Sequence, residues 1–495
     1  MSDNQKNLNE IKKFRLEKLK FLKDNNIDPF PHNFDKNNNI IEIKNDSKKY
    51  ENHDISIAGR IISIRKMGKS SFLNVKDMSG KIQVYTNNQN LSNDEYDLVV
   101  RKLDIGDIVG IKGSVFYTKT QELSIKANKV ELLSKNLHPL PNMKEKDGEL
   151  FFSFDDKEQR YRKRYLDLII NDDSRDVFIS RFNIINSIRN YLNINSFIEV
   201  ETPVLQPVYG GANAKPFTTY HNSLDQNLFL RIADELYLKR LIVGGFEKVY
   251  EISKNFRNEG MDKNHNPEFT MLEFYSAYSD VYDMMELTEG MIKNLVKEMK
   301  LEVNGIDFKK NFDVFSFFDV LDKYSNIKIS EMNTKEIHSV MKNNNIPLDK
   351  TYGYAKSLDK AFSFFVEPKL INPTFIINYP IELSPLAKVE RNSNGKIVER
   401  FELFMNKMEI ANSFSELNNP IDQKERFLAQ QKLKDSGDEE AQVLDNDFIE
   451  ALEVGMPPTG GVGIGIDRLV MILTNKKSIK DVILFPAMKN EHSNT

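Results

Sequence analysis

The chain has 495 residues, of which 40% are hydrophobic and 29% are charged, and its formal net charge is −4. This composition is typical of a globular protein with several domains. Cysteine is absent, which excludes disulfides, thiolate zinc sites and a cysteine nucleophile. No apolar run is long enough to cross a membrane. The charged residues 1–25 lack the apolar core of a signal peptide, so we expect a cytoplasmic protein.

Residues 1–50 are predicted to form a helical extension followed by a loop. Residues 1–25 combine apolar side chains at roughly helical spacing with a basic bias. Pro29 and Pro31 end the helical pattern, and the Asn-rich stretch after them is typical of a loop.

Residues 51–137 are predicted to form a small β-barrel, because short alternating runs are separated by glycine turns. Residues 55–135 contain 13 basic and 8 acidic residues, a net charge of +5 inside a chain of −4. The chain as a whole is therefore not a general polyanion binder. We expect any contact with nucleic acid to be local, and this basic module is the place for it.

Two strands of this barrel divide their side chains into an inward and an outward set. Strict alternation points four apolar residues inward: Leu73, Val75, Ile82 and Val84. The outward set is Phe72, Asn74, Gln83 and Tyr85. An outward ring beside amide groups can stack an unpaired base and read its edge. Phe72 and Tyr85 can also be ordinary cross-strand partners, and the strands alone favour that interpretation slightly.

Residues 138–174 are predicted to be a linker, and residues 175–490 one large α+β domain. This domain is expected to contain an antiparallel sheet flanked by helices. A long helical pattern at 178–192 precedes a short strand at 197–200. Residues 310–372 alternate helix-like pieces with proline and glycine breaks, so an inserted helical subdomain is expected there.

Two further segments of this domain carry polar groups on predicted strands and turns. Beyond a polar loop at 258–267, one strand face is shared by Phe269, Met271, Glu273 and Tyr275. A glutamate in an otherwise apolar strand needs a cationic partner when it is buried. A glycine-rich strand at 461–465 then enters a helix whose first turn carries Asp467 and Arg468.

Glu402 and Glu409 are predicted to lie on the two arms of a hairpin that turns near Asn406. Facing carboxylates repel each other unless a cation lies between them. Mg²⁺ held by one or two carboxylates and substrate phosphates suits this arrangement. The strand that continues from this hairpin places three side chains on one face: Asn412, Phe414 and Glu416.

Three segments, in order, resemble the signature motifs of the class II aminoacyl-tRNA synthetases. FIEVETPVL at 197–205 is similar to motif 1, which forms the dimer interface in that family. FRNEG at 256–260 with HNPEFTMLEFY at 265–275 resembles motif 2, and GVGIGIDRLVM at 461–471 resembles motif 3. With the basic barrel, which would be an OB-fold anticodon-binding domain, the chain resembles subclass IIb, and within it the lysine-specific enzymes.

The resemblance implies ATP-dependent attachment of L-lysine to tRNA(Lys). In that family lysyl-adenylate forms with release of pyrophosphate, and the lysyl group then passes to the 3′-terminal adenosine. No protein nucleophile is needed, because the lysine carboxylate attacks the α-phosphorus in line and catalysis consists of positioning and charge neutralisation. The implied partners are tRNA(Lys), lysine, ATP and a second copy in a homodimer, and the implied cofactor is Mg²⁺.

The same resemblance assigns catalytic roles to Arg257 and Arg468. Arg257 would hold the α-phosphate and the amino-acid carboxylate, since a planar guanidinium suits both. Phe269 would stack on adenine, with Arg468 on the opposite side near the γ-phosphate. The implied ATP-binding residues are Arg257, Glu259, His265, Asn266, Phe269, Glu402 and Arg468. The implied Mg²⁺ ligands are Glu402 and Glu409.

The implied lysine-binding residues are Gly211, Glu235, Glu273, Tyr275, Asn412, Phe414 and Glu416. Tyr275 and Glu416 would hold the ε-ammonium, and Glu235 would lie at the α-amino end, so that acids at both ends gauge the length of lysine. An acidic pocket selects a cation, whereas an aspartate pocket must present positive charge. In isolation Glu235 is better interpreted as an ordinary residue that opens the helix ELYLKRLIV; the motif match favours the ligand role.

In the barrel the resemblance assigns anticodon reading to Arg65, Phe72, Gln83 and Glu122. Phe72 and Gln83 already belong to the outward set, which favours the functional interpretation. The alternatives are an aspartyl- or asparaginyl-tRNA synthetase, a synthetase-like protein lysylase, and a catalytically inactive synthetase-like RNA-binding protein. Lysylases of that kind lack the barrel. An inactive relative would be expected to lose Arg257, Glu409 or Arg468, and all three are present.

Overall fold

The computed structural model describes residues 3–51, 53–141, 143–146, 149–152, 154–349, 352–435 and 441–490. The chain divides into two compact units, Met1–Asp156 and Lys157–Thr495. Within the described ranges we find no helix long and apolar enough to span a bilayer.

The N-terminal unit contains short helices and a barrel. Its helices are α1 (Asp3–Asp24), α2 (Ile40–Asn45), α3 (Ser47–Tyr50) and α4 (Asn93–Leu98), with a 3₁₀ turn at Val100–Lys102. Its strands are β1 (Asp54–Met67), β2 (Ser70–Lys76), β3 (Lys81–Asn87), β4 (Ile108–Tyr117), β5 (Leu123–Ser134), β6 (Met143–Lys146) and β7 (Glu149–Phe152). The first five strands close into a barrel in the order β1-β2-β3-β5-β4, and β6 pairs with β7 in a separate ribbon.

The side-chain alternation predicted for β2 and β3 is confirmed. Leu73, Val75, Ile82 and Val84 are buried in the barrel core. Because successive side chains on a strand point to opposite faces, their neighbours lie on the outer face. The barrel therefore closes its apolar core with one set of residues and leaves the other set on its surface.

Helix α1 is attached to the barrel by specific polar contacts. Arg15 Nη2 donates to the carbonyl oxygen of Ile105 at 3.1 Å. Lys18 Nζ pairs with Asp104 Oδ1 at 2.5 Å, and Leu22 is buried in the same core as the strands. The predicted helix of residues 1–25 is thus a packed part of this unit.

The C-terminal unit contains the larger set of elements. Its helices are α5 (Lys157–Arg162), α6 (Arg164–Ile170), α7 (Asp172–Ile194), α8 (Glu235–Val243), α9 (Val281–Glu298), α10 (Phe317–Ser325), α11 (Thr334–Asn343), α12 (Tyr354–Phe365), α13 (Pro420–Asp435), α14 (Asn446–Val454) and α15 (Ile466–Leu473). Short 3₁₀ turns lie at Ile329–Glu331, Glu367–Lys369, Ile381–Leu383 and Ile479–Asp481.

Strands of this unit form a large mixed sheet and a small one. They are β8 (Ile198–Glu199), β9 (Leu205–Gln206), β10 (Thr218–His221), β11 (Gln226–Leu230), β12 (Lys248–Phe256), β13 (Glu268–Ala277), β14 (Asp313–Ser316), β15 (Thr374–Pro380), β16 (Ile397–Met405), β17 (Met408–Ser415) and β18 (Thr459–Gly465). In the described residues the large sheet has eight strands in the order β14-β15-β16-β17-β18-β13-β12-β8. Its central pairs are antiparallel, and the two edge pairs are parallel. The α+β prediction is confirmed.

Helices cover both faces of the large sheet. Helices α7, α9 and α15 contribute to the main apolar cluster on one face, and α15 is almost wholly buried in it. Helices α8, α13 and α14 contribute to a second cluster on the other side. Between residues 310 and 372, helices α10 to α12 pack around their own cluster. Strand β14 of that segment joins the edge of the large sheet, so the segment is continuous with the sheet.

Candidate active site and barrel surface

A cavity of about 360 Å³ lies over the centre of the large sheet. Its floor is formed by three neighbouring strands in register. Glu273 on β13 lies across from Gly463 on β18, which lies across from Asn412 on β17. The same face of β13 carries Phe269, Met271, Glu273 and Tyr275, all of which line the cavity. The period-two prediction for this strand is therefore confirmed.

Glycine at position 461 is required by the closeness of the neighbouring side chains. A methyl group on Gly461 would lie 2.2 Å from Glu416 Oε1 and 2.3 Å from Tyr275 Cε1. Such distances are far inside van der Waals contact. The glycine-rich strand that resembles motif 3 thus leaves space above it for side chains from both neighbouring strands.

One end of the cavity is strongly acidic and buried. Glu235, Glu273 and Glu416 are 5%, 4% and 1% exposed. Glu235 begins helix α8; Glu273 accepts hydrogen bonds from the backbone N–H of Asp234 at 3.2 Å and from Tyr275 Oη at 3.2 Å. The sequence predicted these acids as a group, and the fold brings them together.

Burial changes the ionisation of these acids. Burial, together with the nearby charge of Glu235, raises the pKa of Glu416 to about 8, although the ammonium of Lys239 opposes the shift. Burial and the negative charges of Asp234 and Glu235 raise the pKa of Glu273 well above its ordinary value. Desolvation disfavours a carboxylate that has no cation beside it. The acidic end is therefore poised to receive positive charge.

Lys239 is a buried cation that contacts two acids of this pocket from outside its lining, and the sequence analysis did not identify it. It is completely buried, its Nζ donates to Glu235 Oε1 at 2.6 Å, and it forms an ion pair with Glu416 Oε2. The four-residue spacing from Glu235 on one helix was the available signal. The ammonium group of Lys239 bridges Glu235 and Glu416 through one carboxylate oxygen of each. The second oxygen of each acid is not part of this bridge.

The opposite end of the cavity carries two arginines. Arg257 follows β12, and its guanidinium lies 5.1 Å from the centre of the Phe269 ring. Its Nε is buried with no hydrogen-bond partner among the described residues, and burial lowers its pKa, although Glu259 opposes this shift. A buried cation with an unused donor is suited to an anionic ligand.

Arg468 is positioned by the start of helix α15. It donates through Nη1 to the carbonyl oxygen of Glu409 at 2.9 Å and through Nη2 to His265 Nε2 at 2.9 Å. The neighbouring residue Asp467 accepts from Arg181 at 2.6 Å and from the backbone N–H of Thr270 at 2.7 Å. Asp467 therefore ties helix α15 to strand β13 and fixes where Arg468 points.

The hairpin with Glu402 and Glu409 forms as predicted, but its two acids are not direct cross-strand partners. The turn pairs Met405 with Met408, so Glu409 pairs with Phe404 and not with Glu402. Beyond that point a β-bulge leaves Ile410 of β17 unpaired, and Glu402 pairs with Asn412. Glu409 lines the cavity.

Glu402 lies beside the cavity and is held by protein partners. It accepts from Arg400 Nη2 at 2.5 Å and from Tyr379 Oη at 2.7 Å. Burial and the negative charge of Glu409 raise its pKa to about 7 against the attraction of Arg400. Arg400 itself lines the cavity and donates to Asn412 Oδ1 at 2.9 Å. The sequence analysis missed Arg400, because no motif marked it.

The remaining predicted residues also reach the cavity lining. Gly211 has a φ of 84°, and its nearest side-chain neighbour is Glu235. Glu259 and His265 lie on the loop between β12 and β13 and are exposed. Asn266 is buried; its amide donates to the carbonyl oxygen of Glu268 at 2.6 Å, and its oxygen accepts from Ala487 N at 3.2 Å. Those contacts give Asn266 a loop-fixing role in this structure.

The outer face of the barrel carries a row of aromatic rings. Phe72 lies 5.0 Å from Tyr85 between ring centres, and Tyr85 lies 6.2 Å from Phe116. Phe72 is also the cross-strand neighbour of Arg65. Phe116, on β4, was not identified from the sequence. The rings therefore do pair across strands and at the same time form a continuous half-exposed surface.

The other two predicted barrel residues lie close to the start of β5. Gln83, on β3, donates through Nε2 to Ser124 Oγ at 2.9 Å, and its strand pairs with β5 at that point. Glu122 is exposed just before β5 begins. Gln83 also lies two residues before Tyr85 on the same strand, so its amide is on the face that carries the aromatic rings.

Two features define the class of this protein. One is the closed barrel with aromatic and polar groups on its outer face, and the other is the sheet whose glycine-rich strand lies between acids and arginines. Together they are the features of a class II aminoacyl-tRNA synthetase. Residues 156–489 match the family of class II tRNA synthetases for D, K and N. Residues 55–133 match the OB-fold nucleic-acid binding domain of the anticodon-binding kind. The chain belongs to this class II family.

Relatives of known specificity are similar along nearly the whole chain. The lysine–tRNA ligase of Porphyromonas gingivalis strain W83 is 48% identical over 499 residues, covering 98% of this chain and 86% of that protein. That of Azobacteroides pseudotrichonymphae is 48% identical over 500 residues, covering 98% and 99%. That of Carboxydothermus hydrogenoformans is 46% identical over 489 residues, covering 97% and 98%.

Proposed function

We propose that this protein attaches L-lysine to tRNA(Lys) in two ATP-dependent steps, through lysyl-adenylate. The observation that carries the proposal is the buried acidic end of the cavity, where Glu235, Glu273 and Glu416 gather. Such a pocket favours a diamino acid and opposes aspartate, whose side chain would meet like charge. The names of the similar ligases agree with this choice of substrate.

At the arginine end, we assign ATP binding and the chemistry of adenylate formation. Arg257 would hold the α-phosphate together with the lysine carboxylate, because its fork can donate to both. Arg468 would neutralise the terminal phosphate, and Phe269 would stack on adenine. Glu259, His265 and Asn266 complete the proposed nucleotide contacts. The lysine carboxylate attacks phosphorus directly, so the protein contributes orientation and charge stabilisation.

At the acidic end, we assign recognition of the lysine substrate. Glu416 and Tyr275 would receive the ε-ammonium, and Glu235 with the backbone at Gly211 would receive the α-amino group. Asn412 and Phe414 contribute to the cavity lining from β17, and Glu273 adds negative charge from β13. The phenol of Tyr275 stays protonated, because burial and the neighbouring acids raise its pKa well above the ordinary value.

The two hairpin acids fit a magnesium ion that accompanies ATP. Glu409 lines the cavity, with its Oε2 3.6 Å from an Arg468 nitrogen, and Glu402 lies close enough for its pKa to respond to the charge of Glu409. Carboxylate oxygens are the donors that Mg²⁺ prefers, with phosphates and water completing its shell. When bound, the ion would neutralise charge on the phosphates. Glu402 and Glu409 are the residues we propose to hold it.

The barrel is the proposed anticodon-binding surface. Phe72 offers a half-exposed ring for an unpaired base, and Arg65, Gln83 and Glu122 offer groups that recognise base edges. The net positive charge of this module favours binding of a polyanion such as RNA. We place the reaction in the cytoplasm, where tRNA is used.

A homodimer is the proposed assembly, and the motif 1 segment is the proposed interface. Large apolar side chains are exposed on this segment and on the preceding helix α7: Ile179, Phe182, Ile194, Ile198 and Leu205. Contiguous exposed apolar surface is typical of interaction sites. Light scattering of the Phe182→Asp variant tests the assignment, with Phe364→Asp as the control because Phe182 and Phe364 are similarly exposed, at 53% and 47%. Loss of the dimer in both variants, or in neither, contradicts the assignment.

The decisive experiment is ATP–pyrophosphate exchange with each of the twenty amino acids. The proposal predicts exchange that depends on lysine. Exchange with aspartate or asparagine would contradict the pocket assignment, and exchange with none of them would favour an RNA-binding protein without activity. Charging of tRNA(Lys) with lysine then tests the second step.

A further inference from the structure

Lys239 is a fully buried lysine that lies outside the cavity lining and pairs with two of the acids in that lining. The proposed function assigns it no role. Its Nζ donates to Glu235 Oε1 at 2.6 Å, pairs with Glu416 Oε2 and lies 5.9 Å from the centre of the Phe448 ring. A buried charge costs several kcal/mol unless it is well paired. The protein therefore already holds one ammonium group next to two acids that are proposed to bind the ammonium groups of the substrate.

Each of the two acids turns one oxygen toward Lys239 and the other away from it. A methyl group on Gly211 would lie 3.7 Å from Glu235 Oε2, and a methyl group on Gly461 would lie 2.2 Å from Glu416 Oε1. The outer oxygen of Glu235 is thus on the Gly211 side, and that of Glu416 is on the Gly461 side. The ammonium between the inner oxygens sets the separation of the outer ones.

Charge balance gives the same assignment. Glu235, Glu273 and Glu416 carry three negative charges when ionised, and Lys239 offsets one of them. The remainder matches the two ammonium groups of a diamino acid, whose carboxylate is assigned to Arg257. Without Lys239, the ionised inner oxygens would repel each other, and the two acids would hold their protons more tightly.

We propose that Lys239 is a specificity-determining positioning residue, a resident ammonium that holds Glu235 and Glu416 in place so that their outer oxygens receive the two amino groups of the substrate. This inference rests on the proposed function and deepens it. The competing interpretation is that Lys239 occupies the substrate's place and must leave when lysine binds. The two interpretations predict opposite effects of removing its charge.

Lysine-dependent ATP–pyrophosphate exchange by the Lys239→Gln variant tests the proposal. We expect the KM for lysine to rise about tenfold or more, equivalent to about 1.4 kcal/mol, while the KM for ATP changes less than about twofold. The kcat at saturating lysine should change little, because the residue orients groups that bind substrate and transition state alike. Lys239→Arg, which keeps a cation, should restore much of the lysine affinity.

Lys293→Met is the matched control. Lys293 also pairs with a glutamate four residues earlier on a helix, Glu289, at 2.6 Å, but Glu289 is not part of the cavity lining, whereas Glu235 is. We expect its kinetic constants to equal those of the wild type. Any fall in melting temperature shared by the two variants then measures the loss of a helix ion pair, whereas the change in lysine KM belongs to Lys239 alone.

Several outcomes would overturn the inference. An unchanged or lower lysine KM in Lys239→Gln contradicts it, and a lower KM indicates a competitor of the substrate. Equal losses in lysine KM, ATP KM and kcat indicate a merely structural role. If the variant does not fold, a crystal structure of the wild-type protein with lysine decides: Nζ must stay between Glu235 and Glu416. Failure of wild-type exchange with lysine would instead refute the proposed function.

Discussion

Glu416→Gln removes from the cavity a carboxyl group that can ionise when an ammonium group binds, with almost no change of shape. Glu416 is 1% exposed, and its Oε1 lies against Gly461 and Tyr275. The amide keeps an oxygen in this place but offers an ammonium group much less attraction. We therefore expect lysine recognition to weaken while ATP binding at the arginine end is preserved.

The magnitude follows from the burial of the site. Removing one partner of a buried, hydrogen-bonded charge pair costs about 2–5 kcal/mol. Because glutamine still accepts a hydrogen bond, we take about 3 kcal/mol, which corresponds to roughly a 100-fold loss in kcat/KM for lysine. The loss should appear mainly as a higher lysine KM.

The same substitution should also change how the stability of the fold depends on pH. The pKa of Glu416 is raised from 4.5 to about 8, so in this window the folded state holds a proton that the unfolded state has lost. Stability contributed by this group therefore falls as the pH rises from about 4.5 to about 8. Glutamine has no proton to lose, so this part of the pH dependence should be absent from the variant. Because Lys239 loses one of its two buried carboxylate partners, the melting temperature of the variant should be lower than that of the wild type.

Exchange kinetics with lysine and ATP varied separately measure the effect. Glu399→Gln is the control, because Glu399 is also buried in the large sheet but pairs with Arg391 and Ser415 outside the cavity lining. Glu399→Gln should alter stability and leave the lysine KM unchanged. Equal losses for lysine and ATP in Glu416→Gln, or an unchanged lysine KM, would refute the assigned role.

Three further predictions concern the cavity and the barrel. Lysine binding should tighten by up to about tenfold per pH unit as the pH rises from 6 to 8, and it should release protons. The reason is that a bound ammonium group lowers the raised pKa of Glu416, which faces Glu235, Lys239 and Tyr275. Calorimetry in buffers of different ionisation enthalpy measures the protons released, and proton uptake would contradict the prediction. Glu409→Gln should raise the Mg²⁺ concentration needed for half-maximal exchange about tenfold or more without changing the lysine KM; an unchanged Mg²⁺ requirement would count against it as a ligand. Phe72→Ala should weaken tRNA charging by about 1–3 kcal/mol and leave exchange intact; a defect in exchange would contradict the separation of roles.

Strand faces and motif positions could be predicted from the sequence, because they depend on local periodicity. Alternation alone placed Phe269, Glu273 and Tyr275 on one face of β13, and the cavity lining agrees. It also sorted the residues of β2 and β3 into core and surface. Glycine-rich runs and long helical patterns are equally local signals, so the elements that carry the motifs were predictable.

Contacts between distant segments were not predictable in the same way. Lys239 could be seen to lie one helical turn after Glu235, but its pairing with Glu416 depends on how α8 packs over the sheet. Arg400 reaches Asn412 only because β16 and β17 pair in one register. The pairing of Glu402 with Asn412 depends on a bulge that no residue in the hairpin signals.

The attachment of α1 to the barrel has a practical consequence for dissecting this protein. Arg15, Lys18 and Leu22 contribute to the same unit as the strands. A truncation that starts at residue 26 would strip cover from the barrel core and leave Asp104 without one of its cations. Loss of RNA affinity in such a fragment would report a damaged scaffold, so an isolated anticodon module should be expressed with its leading helix intact.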